Sequence, residues 1–312
     1  MIRTKELVCW LSISLLLLII VSAFLTSCYR IISPESNPDY SDTTRHVHYG
    51  DSIQVAIEDA NIGEVIIVHE GTYNENLYVN KTVTIKAAVG EERPVIDGGI
   101  KEAFSITAES VVVEGFEARS AGFRAIVIKL ANNVFIVNNI VTGGGNLGIV
   151  LSRANECDIT GNELFDFADT GIDIEQSTGN LIMGNKVSGC SAGITVDGAN
   201  QIIDNEISNS GNNGITVEGT NGSLIKGNKV IDSGGDGILI EKGASYNQII
   251  GNEVKNSLTI GINLCGGSSH NLIKQNHISQ SGRYDLSWDE SGTGNWWEGN
   301  NYETSHPDSL TS

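Results

Sequence analysis

The chain has 312 residues and a formal net charge of −19 at pH 7, because 38 Asp and Glu residues outnumber 19 Lys and Arg residues. A surface this acidic repels the phosphates of nucleic acids and of anionic lipid headgroups, so both are excluded as primary partners. Three of the five cysteines follow residue 28, and this odd number argues against a disulfide framework.

The first 27 residues have the layout of a secretory signal. Arg3 and Lys5 precede an apolar run at residues 7–25, as in a signal peptide. Residues 25–28 read Leu-Thr-Ser-Cys and resemble the bacterial lipoprotein signal motif. The resemblance implies cleavage before Cys28 and a lipid anchor on its thiol. An uncleaved membrane anchor is the alternative, because the run approaches the length of a membrane span. Both interpretations place the rest of the chain outside the cytoplasm.

Residues 28–48 are predicted to form a flexible tether, since they hold Ser, Pro, Asn and Asp with little apolar content. We predict a folded domain at residues 49–305 and a tail at 306–312. Residues 52–60 fit a short amphipathic helix with Asp51 or Ser52 as its N-cap. The helix is predicted to cap the open end of the domain, where strand edges would otherwise be unpaired. Strands are predicted at residues 65–69, 77–79 and 83–87.

From residue 134 onward the sequence repeats. An asparagine returns every 20 to 24 residues, at Asn139, Asn162, Asn185, Asn205, Asn228, Asn252, Asn276 and Asn300. An isoleucine lies three residues before each asparagine except the last, and a Gly-Ile pair follows eight or nine residues after most of them. Between these landmarks apolar residues alternate with polar ones, as in Ile215 and Val217, which predicts short strands. One repeat has too few apolar residues for its own core, so neighbouring repeats must stack.

Repeats stacked about 4.8 Å apart predict a single-stranded parallel β-helix, an all-β domain in which one chain winds through roughly ten coils. The isoleucines fill the interior, and the asparagine side chains hydrogen-bond along the stack. The same register puts residues of mostly alternating charge in one outward column, where exposed ion pairs contribute little. That column contains Glu163, Lys186, Glu206, Lys229, Glu253 and His277.

Three stretches open the domain: Glu-Gly-Thr-Tyr at residues 70–73, Asn-Lys-Thr-Val-Thr-Ile at 80–85 and Pro-Val-Ile-Asp-Gly at 94–98. They resemble the opening of right-handed β-helix proteins of the pectate-lyase-like superfamily, including the surface and periplasmic branch typified by the NosD proteins. The resemblance covers residues 49 to 301 and implies a right-handed coil. It is specific for the fold and not for a function, because the matching residues are structural and one fold hosts many activities.

A second outward column, near the end of the strand after each Gly-Ile pair, is acidic. It runs Lys129, Ser152, Glu175, Asp197, Glu218, Glu241, Cys265 and Asp289. Stacked carboxylates repel one another by on the order of 1 kcal/mol per adjacent pair, and Asp173 adds another charge to the same face. Two interpretations stay open. Calcium bound by Glu175, Asp197, Glu218 and Glu241 would offset the repulsion, or the face is merely solvated and screened.

The resemblance also brings polysaccharide lyases into consideration. Such enzymes need a Lys or Arg to abstract a proton beside the uronate carboxylate, and Lys129 and Arg153 are the candidate bases. Motifs of polygalacturonases and pectin esterases are absent, and the epimerase motif Tyr-Gly-(Phe or Ile)-Asp-Pro-His is echoed only around Gly171-Ile172-Asp173. Two methionines and six scattered histidines give copper handling little support. The aromatic pair Trp296-Trp297 is interpreted as an end cap rather than a sugar platform.

We therefore predict an extracytoplasmic, lipid-anchored β-helix protein whose long face binds a polysaccharide or another surface partner without catalysis, with calcium as a possible cofactor. The predicted binding residues are Asp173, Glu175, Asp197, Glu218 and Glu241. The alternative is a polysaccharide lyase or epimerase acting on a uronate-containing glycan. The oligomeric state and the membrane that holds the anchor are left open.

Overall fold

The computed structural model describes residues 44–308 and residue 310. Within them the chain winds as a right-handed parallel β-helix of about 11 turns, one more than predicted, with every paired strand parallel to its neighbour. The predicted signal at residues 1–27, Cys28 and the tether up to residue 43 lie outside the described residues. No helix in the described part of the chain is long and apolar enough to cross a membrane.

Each turn contributes one strand to each of three sheets. The 12-stranded sheet contains β1 (Thr44–Val47), β2 (Val65–Val68), β5 (Thr84–Ala87), β8 (Val112–Glu114), β11 (Phe135–Val137), β14 (Asp158–Thr160), β17 (Leu181–Met183), β20 (Gln201–Ile203), β23 (Leu224–Lys226), β26 (Gln248–Ile250), β29 (Leu272–Lys274) and β32 (Trp296–Glu298). The 10-stranded sheet contains β3 (Thr72–Tyr73), β6 (Val95–Asp97), β9 (Glu117–Arg119), β12 (Ile140–Thr142), β15 (Glu163–Phe165), β18 (Lys186–Ser188), β21 (Glu206–Ser208), β24 (Lys229–Ile231), β27 (Glu253–Lys255) and β30 (His277–Ser279). The 11-stranded sheet contains β4 (Leu77–Val79), β7 (Phe104–Ile106), β10 (Arg124–Lys129), β13 (Leu147–Ser152), β16 (Thr170–Glu175), β19 (Ala192–Val196), β22 (Ile215–Glu218), β25 (Ile238–Glu241), β28 (Ile260–Leu264), β31 (Tyr284–Trp288) and β33 (Ser305–His306).

The core runs along the inside of the coil, as the repeat predicts. Ile159, Ile182 and Ile202 pair directly across successive strands and are fully buried. At the last coil Trp297 pairs with Ile273 and is buried, whereas Trp296 is exposed. The predicted isoleucine column is therefore confirmed, and one of the two tryptophans covers the final coil.

A single α-helix in the described residues, α1 (Ile53–Asp59), follows β1. Ser52 is its N-cap and accepts a hydrogen bond from the Val55 amide at 3.2 Å, which confirms the predicted helix. The Glu75 carboxylate accepts from the backbone amides of Ile53 and Gln54, each at 3.0 Å. The Gln54 side chain in turn accepts from the backbone amide of Tyr78 in β4, the end strand of the 11-stranded sheet. The helix thus lies against a sheet edge, and its role as a lid over the open end stays a prediction.

Regular structure extends beyond the predicted boundaries. Strand β1 lies inside the predicted tether and pairs with β2 through Val47 and Val68, so the tether prediction is wrong for residues 44–47. The predicted tail also begins inside β33, and Leu310 is buried in the core. The sequence at each end contains few apolar residues and therefore does not predict a strand. These segments form strands because they pair with a neighbouring coil.

Asparagine side chains form the predicted ladder along the stack. Oδ1 of Asn162 accepts from the backbone amide of Asn139 at 2.9 Å and from its side-chain amide at 3.1 Å. The Asn162 amide also donates to the carbonyl of Ile136 at 2.9 Å. The pattern continues without a break to Asn300. Because these amides are paired along the stack, the ladder fixes the turn in each coil from Asn139 to Asn300.

A second ladder, which the sequence analysis missed, lies five residues before the first. Its members are Asn180, Asn200, Ser223, Asn247, Asn271 and Asn295. Each short strand of the 12-stranded sheet in these coils is therefore bracketed by two inward-facing polar side chains. The spacing Asn-x4-Asn, visible in five repeats, is the signal that would have found it.

Candidate functional site

Two outward columns share one face of the 11-stranded sheet. The first, here the central column, aligns Val150 with Asp173 and Asp173 with Thr195, and continues through Thr216. The second is the predicted acidic column. Together Asp173, Glu175, Asp197, Glu218 and Glu241 are called the carboxylate face. Glu175 pairs with Ser152 and Glu218 pairs with Glu241, Asp197 directly follows β19, and Asp173 lies two residues before Glu175 in the central column. The binding role of all five residues stays a prediction.

Lys242 offsets part of the charge repulsion on the carboxylate face. Its ammonium group lies 2.5 Å from Oε2 of Glu218 and 3.6 Å from Oε1 of Glu241, two carboxylates that are paired in register. The hydrogen bond with Glu218 raises the pKa of Lys242 above its ordinary value. The sequence analysis considered calcium or solvent screening for this role and missed the lysine. The signal was the dipeptide Glu241-Lys242, which puts a cation directly after the acidic position.

Asp173 has a raised pKa. Burial raises its pKa to about 7, and the nearby carboxylates of Glu175 and Asp169 contribute to this rise, together with a hydrogen bond to Glu175. Its strand neighbours are Val150 and Thr195, which offer no positive charge. Asp173 therefore exchanges a proton near neutral pH, as a general acid or base must.

The two candidate catalytic bases lie away from this carboxyl group. Lys129 pairs with Ser152, and Ser152 with Glu175, so Lys129 is two strands, or about 10 Å, from Glu175. The guanidinium of Arg153 donates to the Gln176 side chain at 3.2 Å. A catalytic role for either residue stays a prediction.

A shallow groove crosses the turns that follow the 10-stranded sheet. It has a volume of about 410 Å³ and is lined by polar side chains and one exposed apolar residue, Leu258. Its amide and carboxylate groups come from four successive coils, at Asn209, Asp232, Asn256 and Gln280. In chain order the groove residues follow strands of the 10-stranded sheet and precede strands of the 11-stranded sheet, which carries the carboxylate face. The groove is therefore a second polar surface, and binding experiments must distinguish it from the carboxylate face.

Three of the six histidines, which the sequence analysis described as scattered, meet at the first coils. His46 lies in β1, and His48 and His69 directly follow β1 and β2. The His46 Nδ1 atom is 2.9 Å from His69 Nε2, and the rings of His48 and His69 stack with centroids 4.0 Å apart. The sequence analysis missed this cluster because residues 46 and 48 fall in the predicted tether. The pattern His-x-His followed by a histidine at the end of the next strand was the available signal.

In its fold the chain is a right-handed parallel β-helix protein, and solved structures of this class align with most of its length. An alginate lyase from Paenibacillus sp. str. FPU-7 aligns over 83% of this chain and 99% of its own, with a TM-score of 0.59 and 15% sequence identity. A variant of the periplasmic alginate epimerase AlgG aligns over 82% of this chain and 83% of its own, with a TM-score of 0.57 and 14% identity. At such identities the likeness shows the fold alone.

The model of one sequence family, described as "Periplasmic copper-binding protein (NosD)", matches residues 35–210 and residues 169–304. The two matches overlap and cover most of the chain, which therefore belongs to the NosD family. A cell surface glycoprotein from Methanothermus fervidus is 32% identical over 114 residues, or 36% of this chain and 15% of that protein. The chain thus spans a small part of this curated relative.

The family description raises the question of copper, which prefers imidazole and sulfur ligands. The described thiols fit poorly, because burial raises the pKa of Cys157 to about 11 and keeps it protonated. The facing ring nitrogens of His46 and His69 do have the right donor chemistry. Across residues 44–308, no group of three or more His, Cys, Asp or Glu side chains is already arranged to hold a metal ion. The calcium ligands Glu175, Asp197, Glu218 and Glu241 accordingly stay a prediction.

Proposed function

We propose that this protein is an extracytoplasmic β-helix protein that binds a polysaccharide along the carboxylate face without cleaving it. The observation that carries the proposal is the register of that face. Asp173 and Thr195 follow one another on adjacent strands, beside the acidic column, whereas Thr216 on the next strand is buried. Hydroxyl and carboxylate oxygens therefore recur about every 4.8 Å over several coils. Such a row can hydrogen-bond the hydroxyl groups of several sugar rings in line.

The comparisons support the location and the class of ligand. A relative of part of the chain is a cell surface glycoprotein, and the matching family is described as periplasmic. The solved structures with this fold include an alginate lyase and an alginate epimerase. Anchoring through a lipid on Cys28 belongs to the same proposal. Mass spectrometry of the membrane fraction should find an acylated N-terminal Cys28, and Cys28→Ala should leave an unlipidated precursor.

The charge of the face selects the glycan. A neutral polysaccharide, or one that carries amino groups, can approach five carboxylates, whereas a polyuronate would be repelled unless cations intervene. Because Lys242 already pairs with Glu218 and Glu241, part of the face is neutralised without calcium. We therefore expect neutral and amino-bearing glycans to bind more tightly than alginate, and alginate binding to require calcium.

The second candidate function is a lyase or epimerase that acts on a uronate-containing glycan. The specific observation in its favour is Asp173, a partly buried carboxyl group with a pKa of about 7 on the outward face. Against it stands the position of Lys129 and Arg153, neither of which reaches Asp173 through a described contact. A lyase would release an unsaturated uronate with a new ultraviolet absorbance, and that activity would be lost in Asp173→Asn.

The binding proposal is tested with the full-length protein and a panel of neutral, amino-bearing and uronate polysaccharides in calorimetry. The double variant Asp197→Asn, Glu218→Gln should bind at least about tenfold more weakly, since two charged hydrogen-bonding groups are removed. The matched control is Glu206→Gln, Glu253→Gln, which removes two exposed carboxylates from the 10-stranded sheet and should bind normally. Equal affinity of the first variant and the wild type would refute the proposal. Loss of binding in Leu258→Ser would instead indicate that the ligand binds in the groove.

A further inference from the structure

We propose that the outward face of the 12-stranded sheet is the interface of a homodimer, in which two copies of this chain pack face to face with their coil axes antiparallel. The carboxylate face lies on the 11-stranded sheet. The dimer therefore uses a different surface, and the proposal does not depend on glycan binding.

Strand register defines the outward side chains of this sheet. In each of the ten strands from β5 to β32 the second residue is buried in the core, so the first and third residues point outward. The first residues form one column: Thr84, Val112, Phe135, Asp158, Leu181, Gln201, Leu224, Gln248, Leu272 and Trp296. The third residues form the other: Lys86, Glu114, Val137, Thr160, Met183, Ile203, Lys226, Ile250, Lys274 and Glu298. These two columns are called the dimer face.

Half of the dimer face is apolar. Its apolar side chains are Val112, Phe135, Val137, Leu181, Met183, Ile203, Leu224, Ile250, Leu272 and Trp296. Ile203 is buried, whereas the others are half-buried or exposed to solvent. Matching outward positions of the 10-stranded sheet hold mostly charged residues and serines, as in β18 (Lys186–Ser188) and β21 (Glu206–Ser208). A contiguous apolar surface of this kind marks an interaction site.

The dimer face also carries no net charge. Its three cations are Lys86, Lys226 and Lys274, and its three anions are Glu114, Asp158 and Glu298. The chain as a whole has a formal charge of −19, so two copies repel each other when acidic surfaces meet. The neutral dimer face is a surface through which a second copy can approach without that repulsion.

The order of the charges makes the dimer face complementary to itself. A two-fold axis along the strand direction between β17 and β20 lays β5 on the partner copy's β32 and β8 on its β29, since the sheet order is then reversed. Lys86 faces Glu298 across this axis, and Glu114 faces Lys274. Near the axis Met183 faces Ile203, an apolar contact at the centre of the interface. Each ion pair occurs twice because the interface is symmetric.

Other arrangements of the two copies bring like charges together. A shift by one coil opposes Lys86 with Lys274, and a shift in the other direction opposes Glu114 with Glu298. A two-fold axis along the coil, with the two coils parallel, faces every charged residue with its own copy. Like charges in contact across an interface are strongly unfavourable, so the charge order selects the antiparallel arrangement and its register.

The size of the dimer face sets the expected affinity. Ten strands about 4.8 Å apart extend over about 48 Å, and three residues of a strand span about 10 Å. The face therefore measures on the order of 500 Å² in projection on each copy, or about 1,000 Å² in total, which is at the lower end of specific interfaces. We expect a reversible dimer with a dissociation constant in the micromolar range.

Cross-linking of the full-length protein tests the arrangement directly. A carbodiimide joins a lysine to a carboxylate only where the two are in contact, and we expect it to join Lys86 to Glu298 and Lys274 to Glu114. Within one chain these residues are nine and seven coils apart, about 43 and 34 Å, so the links can form only between copies. In an equal mixture of unlabelled and nitrogen-15-labelled protein, about half of these links should join a light peptide to a heavy one. The ion pair of Lys274 with Glu298, at 2.9 Å in one chain, is the internal positive control. Its link without the other two would overturn the proposal.

A charge swap distinguishes the dimer from an effect on folding. Glu114→Lys and Lys274→Glu should each weaken the dimer at least about tenfold in sedimentation velocity, because each opposes like charges twice. The two changes together should restore the dissociation constant to within about threefold of the wild type. An effect within one chain would not be rescued, since the two residues are seven coils apart.

Two single variants complete the test. Met183→Glu puts two charges beside the two-fold axis and should give a monomer that unfolds cooperatively, because the side chain is outside the core. Glu206→Lys makes a charge reversal on the 10-stranded sheet and should leave the dimer unchanged. A wild-type protein that is monomeric or trimeric up to about 100 µM, well above a micromolar dissociation constant, or a swapped variant no more dimeric than its single parents, would refute the proposal.

Discussion

Oδ1 of Asn205 accepts the side-chain amide of Asn185 at 3.0 Å, although 20 residues separate the two asparagines instead of the 23 or 24 between other neighbours in the ladder. The short coil loses its residues in the two turns that flank β19, and the pairing of Ile182 with Ile202 is undisturbed. Turn length can therefore vary while the ladder and the core columns hold the coil in register.

Replacing Asn205 tests how much the ladder contributes. Asn205 accepts from the backbone and side chain of Asn185 and donates to the carbonyl of Ile182. In Asn205→Ala these buried groups lose their partners, at about 1–3 kcal/mol for each unsatisfied group. We expect a loss of roughly 3 kcal/mol or more in the free energy of unfolding, measured by urea denaturation. The exposed Asn212→Ala is the control and should change little. A loss below about 1 kcal/mol would mean that water replaces the amide.

Ile202 tests the core column in the same coil. It is fully buried between Ile182 and Ile225. Ile202→Asp would bury an unpaired charge, a change that costs several kcal/mol and should abolish a single cooperative unfolding transition. Gln201→Asp places the same charge one residue earlier on the exposed side of β20. A normal transition in the control and none in Ile202→Asp is the expected result by circular dichroism. Equal transitions in both would contradict the assigned faces.

The coil could be predicted from the repeat because each recurring residue type has one structural role: the isoleucines fill the core and the asparagines pair along the turns. Isoleucines at a constant distance from asparagines can only stack if both columns are continuous, so the strand register of Ile159 and Ile182 follows from the repeat itself. Side chains that reach between coils are a different matter. Lys242 contacts Glu218 from a turn with a left-handed backbone, φ +58°, and period-two patterns carry no information on that turn.

The histidine cluster shows the same limit at the other end of the chain. His46 and His69 come together only because Thr44–Val47 is a strand, and the polar sequence around it predicts a tether. Its strand conformation depends on pairing with β2, a long-range interaction that outweighs local composition. Sites made within one repeat, such as the acidic column, could be predicted, and sites made by unexpected pairing could not.

Asp173 should make stability fall as the pH rises. Burial and the neighbouring carboxylates raise its pKa to about 7 in the folded protein, above the value near 3.9 of an exposed Asp. The folded state therefore binds more protons than the unfolded state between about pH 4 and pH 7, and the contribution of this group to stability is complete below that window and is lost through it. Asp173→Asn, which stays neutral, should match the wild type near pH 4 and be more stable at pH 8.

Urea denaturation at pH 4.5, 6 and 8 measures this difference. The control is Glu253→Gln, which removes an exposed carboxylate from the 10-stranded sheet and should shift all three measurements equally. A stability difference between Asp173→Asn and the wild type that does not grow with pH would show that Asp173 is ionised throughout.

The last expectation concerns the charge balance between Lys242 and the acidic column. Lys242→Ala leaves Glu218 and Glu241 facing each other without their shared cation. Its melting temperature should fall, and the fall should be larger at low ionic strength because the repulsion is screened by salt. If calcium is held by Glu175, Asp197, Glu218 and Glu241, it should stabilise the wild type by roughly 2.7 kcal/mol at a hundredfold excess over its dissociation constant.

Calcium should stabilise Lys242→Ala more than the wild type, because the variant offers the ion two unpaired carboxylates. Removing Asp197 and Glu218 together should abolish most of that gain, whereas removing Glu206 and Glu253 from the alternating column should not. Melting curves with calcium and with a chelator distinguish these cases. Should both proteins be indifferent to calcium, the lysine and the solvent alone balance the column, and the carboxylates of this face are free to accept hydrogen bonds from a glycan.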